Sequence, residues 1–185
     1  MALLNRTIRR AAALTLCLAL TPPQARAQAD ALEYAVKAND LYKFGPFVEW
    51  PAGVFAAPGS PFNVCVFGED PFRRVLDEAV RGQVVVGHPV VVRRLQATPA
   101  APDCQVLYLA RSRAHKPSDV LAALRGAPVL TVTDASQGFG GGIVHFVLRG
   151  GHVRFGIDQD GARAAGLKIS SKLMALAVPA GPQGD

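Results

Sequence analysis

An α/β fold follows from three features of the sequence. Short β-branched runs alternate with amphipathic stretches, proline and glycine punctuate their ends, and two apolar runs near the C-terminus are separated by Gly150-Gly151. Repeated strand–helix–strand units imply parallel pairing with right-handed crossovers, whereas the terminal pair reads as an antiparallel hairpin. The predicted architecture is a single compact domain with a mixed, mostly parallel sheet, a C-terminal antiparallel hairpin and flanking helices.

Residues 1–27 read as a signal peptide. Arg6, Arg9 and Arg10 precede the apolar run Ala11–Thr21, and Pro22-Pro23 leads to the small-residue site Ala25-Arg26-Ala27. The run spans about eleven residues, against about twenty needed to cross a bilayer. Removal after Ala27, with Ala29 as second choice, leaves a domain over 28–179 and a flexible tail over 180–185 in an exported, periplasmic protein. Cys17 is a poor lipidation site, because the bulky Leu16 precedes it.

Loss of the leader changes the charge. The chain has 20 basic and 14 acidic residues, a net charge of +6, and four of those arginines lie before Gln28 while no acid does. The mature chain therefore carries about +2, too little to argue for nucleic acid. It also keeps just two cysteines, Cys65 and Cys104, each beside a β-branched run. One pair in an oxidising compartment usually forms a bridge; two buried free thiols are the alternative, and the spacing is unlike Cys-x-x-Cys.

In the mature chain, Ala31–Phe44 has a helical rhythm, with Leu32, Ala35, Val36, Leu41 and Phe44 inward, Glu33, Lys37 and Asp40 wet, and Asp30 as cap. Gly45-Pro46 interrupts it. Phe47, Val48 and Trp50 form an apolar knot, and 52–61 is a loop. Phe62–Phe67 is a strand; Asp70 and Pro71 open a helix over Phe72–Val80 with Phe72, Val75, Leu76 and Ala79 inward. Val84–Val86, Pro89–Arg94, Cys104–Leu109 and Pro128–Thr133 are extended, and Pro117 starts a helix that buries Val120, Leu121 and Leu124 and stops at Gly126. In the terminal hairpin, Ile143–Leu148 and Val153–Ile157, a Gly150-Gly151 turn sets Leu148 opposite Val153, Phe146 opposite Phe155 and Val144 opposite Ile157. A short helix starts at Asp158 or Asp160. Another spans Ser170–Val178, with Leu173, Met174, Leu176 and Ala177 apolar.

No chemistry stands out along the chain. Gly138 and Gly140–Gly142 lack the Lys-Ser/Thr and the helix of a phosphate loop, and read as a flexible turn that lets the chain approach its neighbours. His145 and His152 are too far apart along the hairpin, roughly 13 Å, to share a metal ion. Ser170-Ser171-Lys172 lacks nucleophile spacing, and the carboxylates sit at helix starts and surface positions. No enzyme activity, cofactor, metal or nucleic-acid partner is expected. Two candidate partner surfaces remain: Trp50 with Phe47, read either as core or as a contact hot spot, and the polar hairpin face carrying His145 and Arg154.

Several blocks in order resemble the YfiR-like family of periplasmic repressor proteins. They are Lys37-Ala38, Leu41-Tyr42, Phe44 and Phe47-Val48-Glu49-Trp50-Pro51, then Phe62–Gly68, Gly87–Arg94, Cys104–Leu109 and Pro128–Asp134. Gly141–Ile143, Val153–Ile157 and Ala165–Leu173 complete the series. The resemblance implies a non-catalytic α/β regulator that binds and represses the periplasmic part of an inner-membrane signalling protein: a membrane-bound diguanylate cyclase, or a sensor kinase. It further implies an outer-membrane, peptidoglycan-binding lipoprotein as sequestering partner, a homodimer, and a disulfide between Cys65 and Cys104. The chain departs from the family repressor in having no cysteine over Gly140–His145, where a second bridge would lie, and in Gly45-Pro46. The alternative function is a periplasmic small-ligand binding module, with its site at the strand ends near Asp134 or Gly138–Gly142.

Overall fold

The computed structural model describes residues 23–96 and 103–179, with the backbone alone for 23–26. Residues 1–22, most of the predicted signal peptide, and residues 180–185, the predicted tail, lie outside the described residues. Helix α1 (Pro23–Lys43) is followed by a 3-10 turn (Gly45–Phe47) and a two-residue strand β1 (Val48–Glu49). Then come β2 (Phe62–Phe67), α2 (Arg74–Val80), β3 (Val84–Val85), β4 (His88–Leu95), β5 (Val106–Leu109), α3 (Pro117–Ala123) and β6 (Leu130–Asp134). A 3-10 turn (Ala135–Gln137) leads to β7 (Val144–Arg149), β8 (His152–Ile157), α4 (Gln159–Ala164), β9 (Lys168–Ile169) and α5 (Ser171–Leu176).

Seven strands form one sheet in the order β3-β4-β2-β5-β6-β7-β8, and β1 pairs with β9 in a separate two-stranded sheet. The strands β4, β2, β5, β6 and β7 run parallel, while β3 and β8 are antiparallel edges. The terminal hairpin has the expected register: Leu148 opposite Val153, Phe146 opposite Phe155, Val144 opposite Ile157. The predicted fold class is the one observed.

Side chains alternate between two cores. Phe62, Val64, Val66, Val106, Tyr108, Leu130, Val132, Val144 and Phe146 join α1, α2 and α5 in the larger core. Cys65, Phe67, Leu107 and Leu109 meet Val120, Leu124 and Val129 around α3 on the other face. Coverage of both faces explains why β2, β5 and β6 are buried at every position. Gly45 is where α1 turns against the sheet. A Cβ there would stand 2.5 Å from Val85 and 2.8 Å from Phe62, so only glycine permits the approach.

Several expectations are corrected. Helix α1 begins at Pro23, so Asp30 lies within it and does not cap it. Its inner face is rotated from the predicted one: Leu32 and Val36 are 69% and 41% exposed, whereas Lys37 is fully buried. Helix α2 starts at Arg74, after Phe72 has already entered the core, which turns Val75 outward. Asp70 instead accepts from the Phe72 N–H (2.8 Å), fixing the turn before the helix. Leu176 is exposed because it ends α5. Asp158 and Ser170 cap α4 and α5, accepting from the backbone N–H groups of Asp160 and Gly161 and of Leu173.

Candidate functional site

The least expected feature of the interior is a charged cluster at the carboxyl end of the central strands. Lys37 projects from the inner face of α1, and Asp134 is the last residue of β6; both are buried. The Lys37 ammonium donates to Glu33 one turn earlier, to Asp134 (2.5 Å) and to the Ser136 hydroxyl (3.4 Å). That uses all three of its donors. Its charge also lies 5.0 Å from the Tyr34 ring centroid.

The second Asp134 oxygen accepts from the Ser136 N–H (2.9 Å), so the same carboxylate caps the following 3-10 turn. Tyr108 donates its hydroxyl to Asp134 (3.0 Å). Burial first, and the Asp134 charge second, hold that phenol well above the ordinary tyrosine range. Beyond the cluster, Gln137 donates to the Tyr34 hydroxyl (2.8 Å) and accepts from the Arg111 backbone N–H (3.1 Å). Helix α1, β5, β6 and the turn after β6 are thus tied together through Lys37 and Asp134.

Among the described residues, no buried side-chain nitrogen or oxygen lacks a partner. A cluster satisfied in this way acts as a clamp between helix and sheet. Nothing in the helical rhythm marks Lys37, because its principal partner is 97 residues away.

The glycine-rich segment packs against this region. Gly138 adopts a left-handed φ of 82° to close the 3-10 turn. Gly142 donates to the Thr133 hydroxyl (3.2 Å), and a Cβ on it would meet the Thr131 carbonyl at 3.0 Å. The reading of these glycines as permitting close approach fits that packing.

The four candidate partner residues fall on two faces. Phe47 and Trp50 pack on the larger core; Trp50 meets Phe62 edge-on at 5.7 Å and donates to the Gly45 carbonyl (3.3 Å). His145 and Arg154 share the opposite face of the β7–β8 hairpin. His145 is half-buried and bonded through Nδ1 to the Thr133 hydroxyl at 2.9 Å. Burial, the largest influence, lowers its pKa, with the Lys37 charge acting the same way and Asp134 opposing it. Arg154 is exposed. Cys65 and Cys104 form a disulfide, with Cα atoms 5.8 Å apart.

Arg94 of β4 holds the loop after β2. It binds Asp77 through two nitrogens (2.9 and 2.8 Å), Asp70 (2.7 Å) and the Arg73 carbonyl (2.7 Å). The hydrogen bonds from Arg94 hold the Asp77 carboxyl below the usual carboxylate range. A group with a depressed folded pKa contributes stability above its unfolded pKa and loses it as pH falls through the folded one. The thermal midpoint of Asp77→Asn should therefore fall less steeply than that of the parent from about pH 5 downward. Parallel acid profiles would contradict a role for the pair; the partial exposure of both groups keeps the expected difference small.

No curated protein matches the chain. A family model described as YfiR/HmsC-like matches residues 34–178. The match runs from Tyr34 on the inner face of α1 to Val178, which donates to the Phe155 carbonyl on β8. It takes in Lys37, Asp134 and both cysteines. That family is periplasmic and regulatory, and membership suggests a regulator of cyclic di-GMP signalling; a disulfide fits an extracytoplasmic protein. With 145 consecutive positions matched, the chain belongs to the YfiR/HmsC-like family.

Proposed function

We propose that the chain is exported, loses residues 1–27, and represses an inner-membrane diguanylate cyclase by binding its periplasmic part. Family membership over 34–178 carries this reading. The arginine-rich, apolar and small-residue order of the leader supports export, and the Cys65–Cys104 bridge fits an oxidising compartment. The mechanism needs no bond-making step. Docking on the inactive arrangement of the receptor shifts the population toward it by the difference in affinity for the two arrangements. Moving a receptor from one per cent to ninety-nine per cent inactive takes a preference of about 10⁴.

Relief would come from a competitor for the same protein, for which an outer-membrane, peptidoglycan-binding lipoprotein is the proposed partner. A sensor kinase in place of the cyclase, and a homodimer of the repressor, belong to the same reading. Covalent crosslinking in intact cells, followed by capture of the tagged chain from solubilised membranes, tests it. Recovery of a membrane protein with a periplasmic domain and a cytoplasmic cyclase or kinase domain is the expected result. Exclusive recovery of a transporter's components would contradict it.

A further inference from the structure

The chain leaves β2 through α2 toward β4 on one side, and returns to place β5 on the other side of β2. Helix α2 packs with the larger core and α3 with the smaller, so the two crossovers leave on opposite faces. That makes the carboxyl end of β2 and β5 a topological switch point, the place where open α/β sheets form a crevice for ligands. The loops following these strands meet there, with the Glu69 N–H donating to the Arg111 carbonyl (2.8 Å).

A cleft of about 920 Å³ lies between α1 and the loop Pro71–Val75 that follows β2, and of its nine lining residues all but Ala27 remain after removal of residues 1–27. Its volume is in the range of small-molecule sites. Ala31, Pro71 and Val75 supply apolar wall, and Tyr34 joins the cleft to the buried lysine cluster. Arg73 and Arg74 line it from the loop, and Asp30 from α1. Both arginines are exposed and make no ion pair among the described residues. Arg73 has φ 50° and ψ −131°, a region that a residue with a Cβ rarely adopts. The Arg94 hydrogen bond to its carbonyl pins it in this state, and strained positions held by their surroundings cluster at binding sites.

We propose that this cleft binds a small organic anion. Its carboxylate or phosphate sits on Arg73 and Arg74, its apolar body lies along Val75 and Ala31, and Asp30 repels the anionic head from the α1 side. Its test does not depend on a cyclase.

Benzoate and phenyl phosphate, titrated separately into the exported protein and followed by amide chemical shifts, distinguish a carboxylate from a phosphate ligand. Saturable shifts confined to α1 and residues 70–75 are expected for at least one probe. Arg73→Ala/Arg74→Ala should weaken that probe about tenfold or more, as loss of charge-assisted hydrogen bonds requires, with the thermal midpoint kept. Arg74→Glu, at an exposed position, provides a second variant and should abolish binding. Inorganic phosphate, lacking the apolar body, should bind more weakly than phenyl phosphate. The proposal is overturned if neither probe saturates, if both variants bind as the parent does, or if inorganic phosphate binds as tightly as phenyl phosphate.

Discussion

Replacing Lys37 with methionine is expected to destabilise the protein by about 3–5 kcal/mol, the range for breaking a buried ion pair from one side. The substitution keeps the length of the side chain, but it leaves Asp134 and most of Glu33 buried without their cation. Against a total stability of about 5–15 kcal/mol for a domain, this is a large fraction. The melting midpoint should fall on the order of 10 °C. The cause can be separated from lost packing. In Lys37→Met/Asp134→Asn the more deeply buried of the two anions is gone, the amide oxygen still accepts from the Ser136 N–H, and the Tyr108 hydroxyl can accept from the amide NH2. The double variant should recover a good part of the loss. If the two variants unfold at the same temperature, the charge is not what the cluster contributes.

The second large effect concerns the bridge. Cys65–Cys104 closes a loop of 39 residues, and chain-entropy reasoning assigns about 4 kcal/mol to a loop of that size as a model-dependent ceiling. Cys65 and Cys104 are also buried in the smaller core beside Leu107 and Val129. Cys65→Ala/Cys104→Ala should therefore unfold at a markedly lower denaturant concentration, with most of the loss seen also in the parent after full reduction. Equal midpoints for the oxidised and reduced parent would remove the bridge from the stability account. At equal protein level, repression should weaken only in proportion to the folded fraction, because the disulfide lies inside the fold.

What the sequence disclosed follows the range of the interactions involved. Phe62–Phe67 and the Gly150-Gly151 hairpin are set by local pattern and turn chemistry, and both were legible. The Ser170 and Asp158 caps are equally local. The inner face of α1 was not legible, because Lys37 is drawn inward by a carboxylate 97 residues further along the chain. A helical pattern weighs a lysine as polar, whereas this one is neutralised on both sides. Asp134 was noticed only as a strand-end residue, and its pairing gave no local sign. The two-residue strands β1 and β9 were missed for a related reason: Val48 pairs with Ile169 across most of the chain. The candidate partner residues were grouped by residue type and by parity along one hairpin. The fold then divided them between its two faces.

The central claim is regulation of cyclic di-GMP signalling from the periplasmic side, and the nucleotide itself is its most direct readout. Cellular cyclic di-GMP should rise when the gene is deleted from its native host, and should return to the parental level on expression of the full chain. A version beginning at Gln28, made at the same level but without the leader, should fail to restore it. Unchanged nucleotide after deletion, or full restoration by the leaderless chain, would contradict the account.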